Sequence, residues 1–220
     1  GEAPPRQLVD ALLGPDPSLD PLRALLIERT EGNPLFLEES VRALAETEVP
    51  AGERGAYRLT GPLTAVPPPT SVHAVLAARI DRLDPTAKHL LQCAAVVGRD
   101  VPFAVLQAVA DLPPDVLGLG LARLQTAEFL HETRLFPERE HAFKHALIQE
   151  VAYASLLHDS RRALHARIVE AIEGQYAGRT VEQVERLGHH ALRGGLDDRA
   201  VTYLRQAGLK AATRPAHRDA

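Results

Sequence analysis

The chain has 220 residues, 45% of them hydrophobic and 25% charged, and a net charge of −4. That length and composition suit a globular protein with a sizeable core. The interleaved acids and bases leave no strongly cationic face for a nucleic-acid backbone or an anionic membrane. One cysteine, Cys93, excludes a disulfide within the chain and a cysteine-built zinc site. No apolar run of roughly 18 residues is available to span a bilayer, and no signal-peptide pattern is present, which fits a cytoplasmic protein without a membrane partner.

Aromatic residues make up 4% and Met and Trp are absent, so the apolar content is mostly Leu, Ala and Val. Helices packing closely on helices have that composition, and the expected fold class is mainly α. The start, GEAPPRQL, lacks an initiator Met and enters a helical pattern partway, so the chain reads as a piece of a longer protein.

In chain order, residues 5 to 47 are helical in pattern. Leu8, Val9, Leu12 and Leu13 lie on one face, then Leu22, Leu25 and Leu26 on another, with GPDPSLDP between them. A third helix is predicted to begin at Pro34 behind an Asn33 cap and to run through Leu37, Val41 and Leu44. Residues 49–70 are rich in Gly and Pro, with one short extended piece, AYRLT, and read as a linker along a surface.

From Thr70 the helices are dense. Val75, Leu76 and Ile80 mark one, Leu90, Leu91, Ala94 and Val97 the next behind Asp84-Pro85, and Phe103, Leu106 and Val109 another. Pro113-Pro114 opens a helix carrying Leu117, Leu121 and Leu124, which Gly118 and Gly120 weaken unless close packing requires them. The period then changes, and FLHETRLFPEREHAFKH reads as a β-hairpin turning at Phe136-Pro137-Glu138-Arg139. Three helices followed by a two-stranded wing is the order of a winged helix-turn-helix. Helices near 146–157, 160–173, 180–193 and 197–213 follow, the last two turning at Gly194-Gly195. That pair resembles one tetratricopeptide-type (TPR-like) unit, which needs further repeats to bury both faces.

Two motifs draw attention. In TEGNPLFLEES, Gly32 frees the backbone to turn and Pro34 starts a helix whose open N–H groups favour negative charge. In FKHALIQEVAYASL, His145 stands between the second wing strand and a helix, a place from which an imidazole can reach an anion. Taken singly, the first is also what a helix start after a glycine cap looks like, and the second what a structural histidine looks like. His189-His190, adjacent on a helix, do not share a face as an i, i+4 metal pair would and read as solvated. Arg161, Arg162, His165 and Arg167 read as a solvated basic stretch balanced by Glu170 and Glu173. Cys93 reads as core.

GNPLFLEE, PPTSVHAVLAARIDRLDPTAKHLLQCAAVVG, AFKHALIQEVAY, RRALHARIVEAIE and the repeat-like pair, in that order, resemble the multidomain signalling ATPases called STAND proteins. The likeness is to the ATPase-plus-repeat region that follows class III adenylate/guanylate cyclase domains in many bacteria, and it covers nearly all of the chain. The resemblance implies ATPase lid helices over residues 1–48, a linker over 49–70, a winged-helix domain over 71–158, and a helical arm with the start of TPR-like repeats over 159–220. It implies a bound ATP or ADP, with Gly32, Asn33 and Pro34 against adenine and His145 on the β-phosphate, holding a closed state. Lys144 and Ala146 flank His145 where relatives carry Met and an acid. The implied partners are upstream ATPase and effector domains, and a signalling protein or ligand received by the downstream repeats.

No GxxxxGK[ST] occurs, and no apolar strand ends in paired acids. This piece is therefore not expected to hydrolyse ATP by itself; the phosphate loop and the groups that bind magnesium would lie upstream. Two other readings remain: a DNA-binding winged helix of a transcription regulator, whose helix at 114–127 offers Arg123 as a lone cation, and a helical scaffold without nucleotide.

Overall fold

The computed structural model describes residues 5–46, 50–60, 71–136 and 138–213. The expected linker residues 49 and 61–70, and Pro137 of the expected turn, lie outside these. The described chain is mainly helical with one small antiparallel three-stranded sheet, and it divides into two compact units, Gly1–Arg82 and Leu83–Ala220. Among the described residues no single helix is long and apolar enough to cross a membrane.

The first unit contains α1 (Pro5–Leu13), a 3-10 turn at Pro17–Leu19, α2 (Asp20–Thr30), α3 (Pro34–Ala45) and α4 (Val72–Asp81). Val9, Leu12, Leu13, Leu22, Leu26, Leu37, Val41 and Leu44 fill its core, the faces that the helical period selects. The AYRLT piece supplies β2 (Arg58–Leu59), paired antiparallel with β1 (Pro50–Ala51). Just before it, the N–H groups of Gly55 and Tyr57 donate to the carbonyls of Leu12 and Leu13 at 2.8 and 3.0 Å. Those carbonyls belong to the last turn of α1, which has no following turn to supply donors, so this part of the expected linker serves as the helix's cap. Tyr57 and Leu59 pack on the same core.

The second unit begins with α5 (Pro85–Val97), whose Asp84 accepts from the N–H groups of Thr86 and Ala87 at 3.1 Å. A capping aspartate before a proline at the first position is a strong helix start. Then come β3 (Asp100–Pro102), α6 (Phe103–Ala110), α7 (Pro114–Thr126), β4 (Leu130–Arg134) and β5 (Glu140–Phe143). The sheet order is β3-β5-β4, antiparallel throughout, with Val101 opposite His141 and Leu130 opposite Phe143. The hairpin was expected, whereas β3 was not. Three residues are too short to show an alternating pattern, and β5 alone defines them as a strand. Of the two glycines in α7, Gly120 is the one that close packing requires: a Cβ there would meet Leu90 Cδ2 at 3.1 Å, while Gly118 faces open space.

The remaining helices are α8 (Ala146–Ala154), α9 (His158–Gln175), α10 (Val184–Gly194) and α11 (Asp197–Thr213). Helix α10 lies between α9 and α11 by means of two glycines. A Cβ at Gly194 would stand 2.9 Å from the Ala166 nitrogen of α9, and one at Gly188 would stand 2.9 Å from Leu204 Cδ2 of α11. Gly195 ends α10 in the left-handed conformation at φ 68°, and the N–H of Leu196 closes onto Ala191 O at 2.9 Å. That is the αL termination glycine makes at little steric cost.

Candidate functional site

Gly32, Asn33 and Pro34 form the corner between α2 and α3. Glu31 and Gly32 turn the chain with φ of 50° and 75°, and Asn33 Oδ1 accepts from Phe36 N at 3.1 Å. Pro34 occupies the first helical position, and Asn33 and Pro34 are exposed. Thus the asparagine's oxygen is engaged in the cap, and the ring of Pro34 is the part of the motif that stands open to a ligand.

His145 belongs to the other unit. It is the N-cap residue of α8, in extended backbone (φ −139°, ψ 141°), and its side chain makes no capping bond. Its ring is half-buried, and Nε2 is shielded from water without a hydrogen-bond partner. Lys144, next to it, is drawn to Glu128, and its N–H donates to Phe129 O at 3.1 Å, which holds the strand-to-helix junction in place. Ala146 is exposed and offers no acid to support the imidazole.

The structure also assembles a site that the sequence motifs did not announce. A cleft of about 700 Å³ opens in the second unit between the C-terminal end of α5, β3 and β5, and helices α8 and α10. Its floor is a chain of hydrogen bonds. Arg193 Nη1 donates to the Tyr153 hydroxyl at 3.3 Å, Tyr153 meets His165 Nε2 at 3.1 Å, and His165 Nδ1 meets His190 Nδ1 at 2.8 Å. His190 also bonds the backbone of Val97.

These partners assign the tautomers. A carbonyl can only accept, so His190 donates to Val97 through the nitrogen not facing His165, its Nε2. Its Nδ1 is then a lone pair and takes the proton of His165 Nδ1. His165 Nε2 is left as acceptor for the phenol proton of Tyr153, whose oxygen accepts from Arg193. All four links run in one direction, the arrangement in which hydrogen bonds polarise one another.

Both rings are neutral. Burial pushes the His165 pKa down to about 4, with the His189 ring and Arg193 adding to the effect. Burial pushes His190 to about 3, assisted by His165, His189 and Arg186 and opposed by the Val97 bond. His165 is 2% exposed and His190 3%, which corrects the expectation that both lie on solvated faces. His189, by contrast, is exposed. The signal was present in the spacing: His165 precedes Ile168, Val169 and Ile172 at helical intervals, and His190 follows Leu187 by three residues, so each stands within a buried stripe. Cys93 is buried as expected, and its thiol is pushed up to about 12 by desolvation, which leaves it unreactive.

No family model and no solved structure matches the chain. It is 29% identical over 194 residues to an uncharacterized protein of Rhizobium meliloti (strain 1021), a match covering 86% of this chain. The chain spans 18% of the length of that relative.

One further buried network belongs to the first unit. Arg79, 1% exposed, pairs with Glu39, 0% exposed, and its Nε donates to Glu46 Oε1 at 2.8 Å. Arg42 Nη1 reaches the other Glu39 oxygen at 2.9 Å. This arrangement ties α4 to α3 through charge, beneath the helix that Pro34 starts.

Proposed function

We propose that the chain is the regulatory portion of a STAND-type, nucleotide-regulated signalling ATPase. Residues 1–48 would be lid helices, 71–158 a winged helix, and 159–220 an arm leading into TPR-like repeats. ADP would lie with its adenine against Pro34 and its β-phosphate at His145, and a signal received through the repeats would open the closed state. ATP chemistry and magnesium would be the task of upstream domains, and the effector would be of the adenylate/guanylate cyclase or regulator kind.

The observation that carries this reading is His145 itself. An imidazole nitrogen without a partner in the protein, at the N-terminal end of a helix, is a group that an anion admitted to the site would satisfy. The order of α5, α6 and α7 before the β4–β5 hairpin supports the winged helix, and the sheet order β3-β5-β4 agrees with it. The close antiparallel packing of α10 and α11 through Gly188, with Val201 and Leu209 exposed on α11, suits a stacking repeat.

The DNA-binding alternative finds less support. Arg123, the cation of α7, is engaged with Asp84 at 2.8 Å, and Val116 and Leu119 are exposed on the same helix. A recognition helix needs several free cations to meet phosphates. Labelled-ADP binding to the full-length protein, with and without His145→Ala, tests the clamp. Removing an imidazole that bonds the β-phosphate should weaken ADP binding by about tenfold or more. Equal affinity in the two proteins would leave the scaffold reading in its place.

A further inference from the structure

The cleft over the His165–His190 floor has two walls of opposite character. On α10, Arg186 and Arg193 face it, and the acid beside them, Glu185, is engaged with Lys210 at 2.9 Å. The cleft is also lined by Asp100 of β3, Glu140 of β5 and Glu150 of α8, with Arg99 among them, and Glu140 is approached from outside the cleft lining by Arg134 at 3.8 Å. No ion pair joins Arg186 or Arg193 to any of these acids among the described residues. Arg186 Nη2 is moreover shielded from water and has no hydrogen-bond partner, its Nη1 reaching only Gln183 Oε1 at 3.5 Å. A shielded guanidinium nitrogen without an acceptor is costly, and a ligand oxyanion that moves its cover aside would relieve that cost.

Below Arg193 the floor is fixed and uncharged. From the Tyr153 hydroxyl to His190 each donor is already directed at an acceptor, so this part of the floor contributes shape and a dipole but no net charge, and Arg193 above it keeps its charge and its remaining N–H groups for the cleft. Recognition is left to the walls. A simple anion would satisfy the α10 wall and be repelled by Glu140 and Glu150. A simple cation would meet the converse. A molecule carrying both charges satisfies both walls.

We propose that this cleft is a binding site for a small zwitterion of the amino-acid or short-peptide kind, its carboxylate on Arg186 and Arg193 and its ammonium toward Glu150 and Glu140. A volume of about 700 Å³ admits a large amino acid or a peptide of two or three residues. The site stands apart from the nucleotide reading, since neither Pro34 nor His145 lines it, and it remains if that reading falls. It would place a small-molecule input at the base of the helical arm.

Calorimetric titration of the full chain with the twenty standard L-amino acids and with trialanine, each beside its N-acetyl and C-terminal amide forms, tests the proposal. The expected result is saturable binding of at least one free probe at or below about 1 mM, with each capped form weaker by about tenfold. Arg186→Gln should weaken that probe by a similar factor, and Glu150→Gln should do so through the ammonium end. Arg193→Gln, at an exposed position, gives the same reading if Arg186→Gln does not fold. No free probe binding at about 10 mM, capped probes binding as tightly as free ones, or an affinity indifferent to the wall variants would each overturn the proposal.

Discussion

In the first unit a polar side chain is buried as a charge: Arg79 sits among Glu39, Glu46 and, through Glu39, Arg42. In the second unit the buried polar groups are neutral, with His165 and His190 joined to each other and to Tyr153 and Val97. Arginine keeps its proton under all ordinary conditions, so its burial requires carboxylates brought to it. Histidine can leave its second proton in water, and then needs only one donor and one acceptor in the right places. The first solution brings paired charges into the interior. The second depends on pH and on the direction of every hydrogen bond in the row.

The largest expected effect comes from breaking the charged network by halves. Arg79→Leu leaves Glu39 buried with Arg42 as its one remaining partner named above, and should lower the unfolding free energy by about 3 kcal/mol in urea titration. Adding Glu39→Leu should return much of that loss, because replacing both buried partners by apolar groups is far less costly than removing one. A single variant as stable as the parent would show that Glu39 finds other donors, and the contrast with the histidine pair would weaken.

Acid should expose the second network instead. The folded state holds His165 near 4 and His190 near 3, while the unfolded chain takes up protons at the ordinary value of 6.5. The unfolded state therefore binds more protons below pH 6.5. The stability that neutral burial provides is complete above that pH and is lost as pH falls toward 4 and then 3. On the order of 3 kcal/mol should disappear between pH 7 and pH 4 from His165 alone. Urea midpoints across this range, compared with those of His165→Phe, isolate the histidine from the carboxylates. A variant with the parent's pH slope would contradict the assignment of a neutral ring.

The smallest effect tests direction. Tyr153→Phe removes the phenol at the half-buried end of the row, leaving His165 Nε2 without its donor and Arg193 without its acceptor. A loss of about 1 kcal/mol in the urea titration is expected. The His165 ring should also become easier to protonate, visible as an upward move of its imidazole titration by NMR. No change in either would mean that the phenol donates elsewhere.

Much of the fold was legible along the chain. Asp84-Pro85, Asn33-Pro34 and Pro114 marked helix starts that the structure keeps, because a cap and a proline act within one turn and need no distant partner. The apolar stripes named the core for the same reason. The charged and titratable members of those stripes were harder. Arg79 lies three residues after Leu76 and His190 three after Leu187, both within buried faces, although arginine and histidine are more often at the surface. Glu39 is 40 residues from Arg79, and His165 is 25 from His190, so no local pattern records the partner that makes burial tolerable.

The candidate site divides in the same way. The Gly32–Pro34 corner and the place of His145 at a strand-to-helix junction could be read from neighbouring residues, since φ, caps and the change of hydrophobic period are local. The unpartnered Nε2 of His145, the strand β3, and the cleft with its opposed walls could not. Helix content, element order and most of the core were determined by the sequence itself, through short-range sterics and periodicity. Which polar groups lie inside, in what protonation state, and around what empty space was decided by tertiary packing, because burial and its electrostatic cost depend on neighbours far away in the chain.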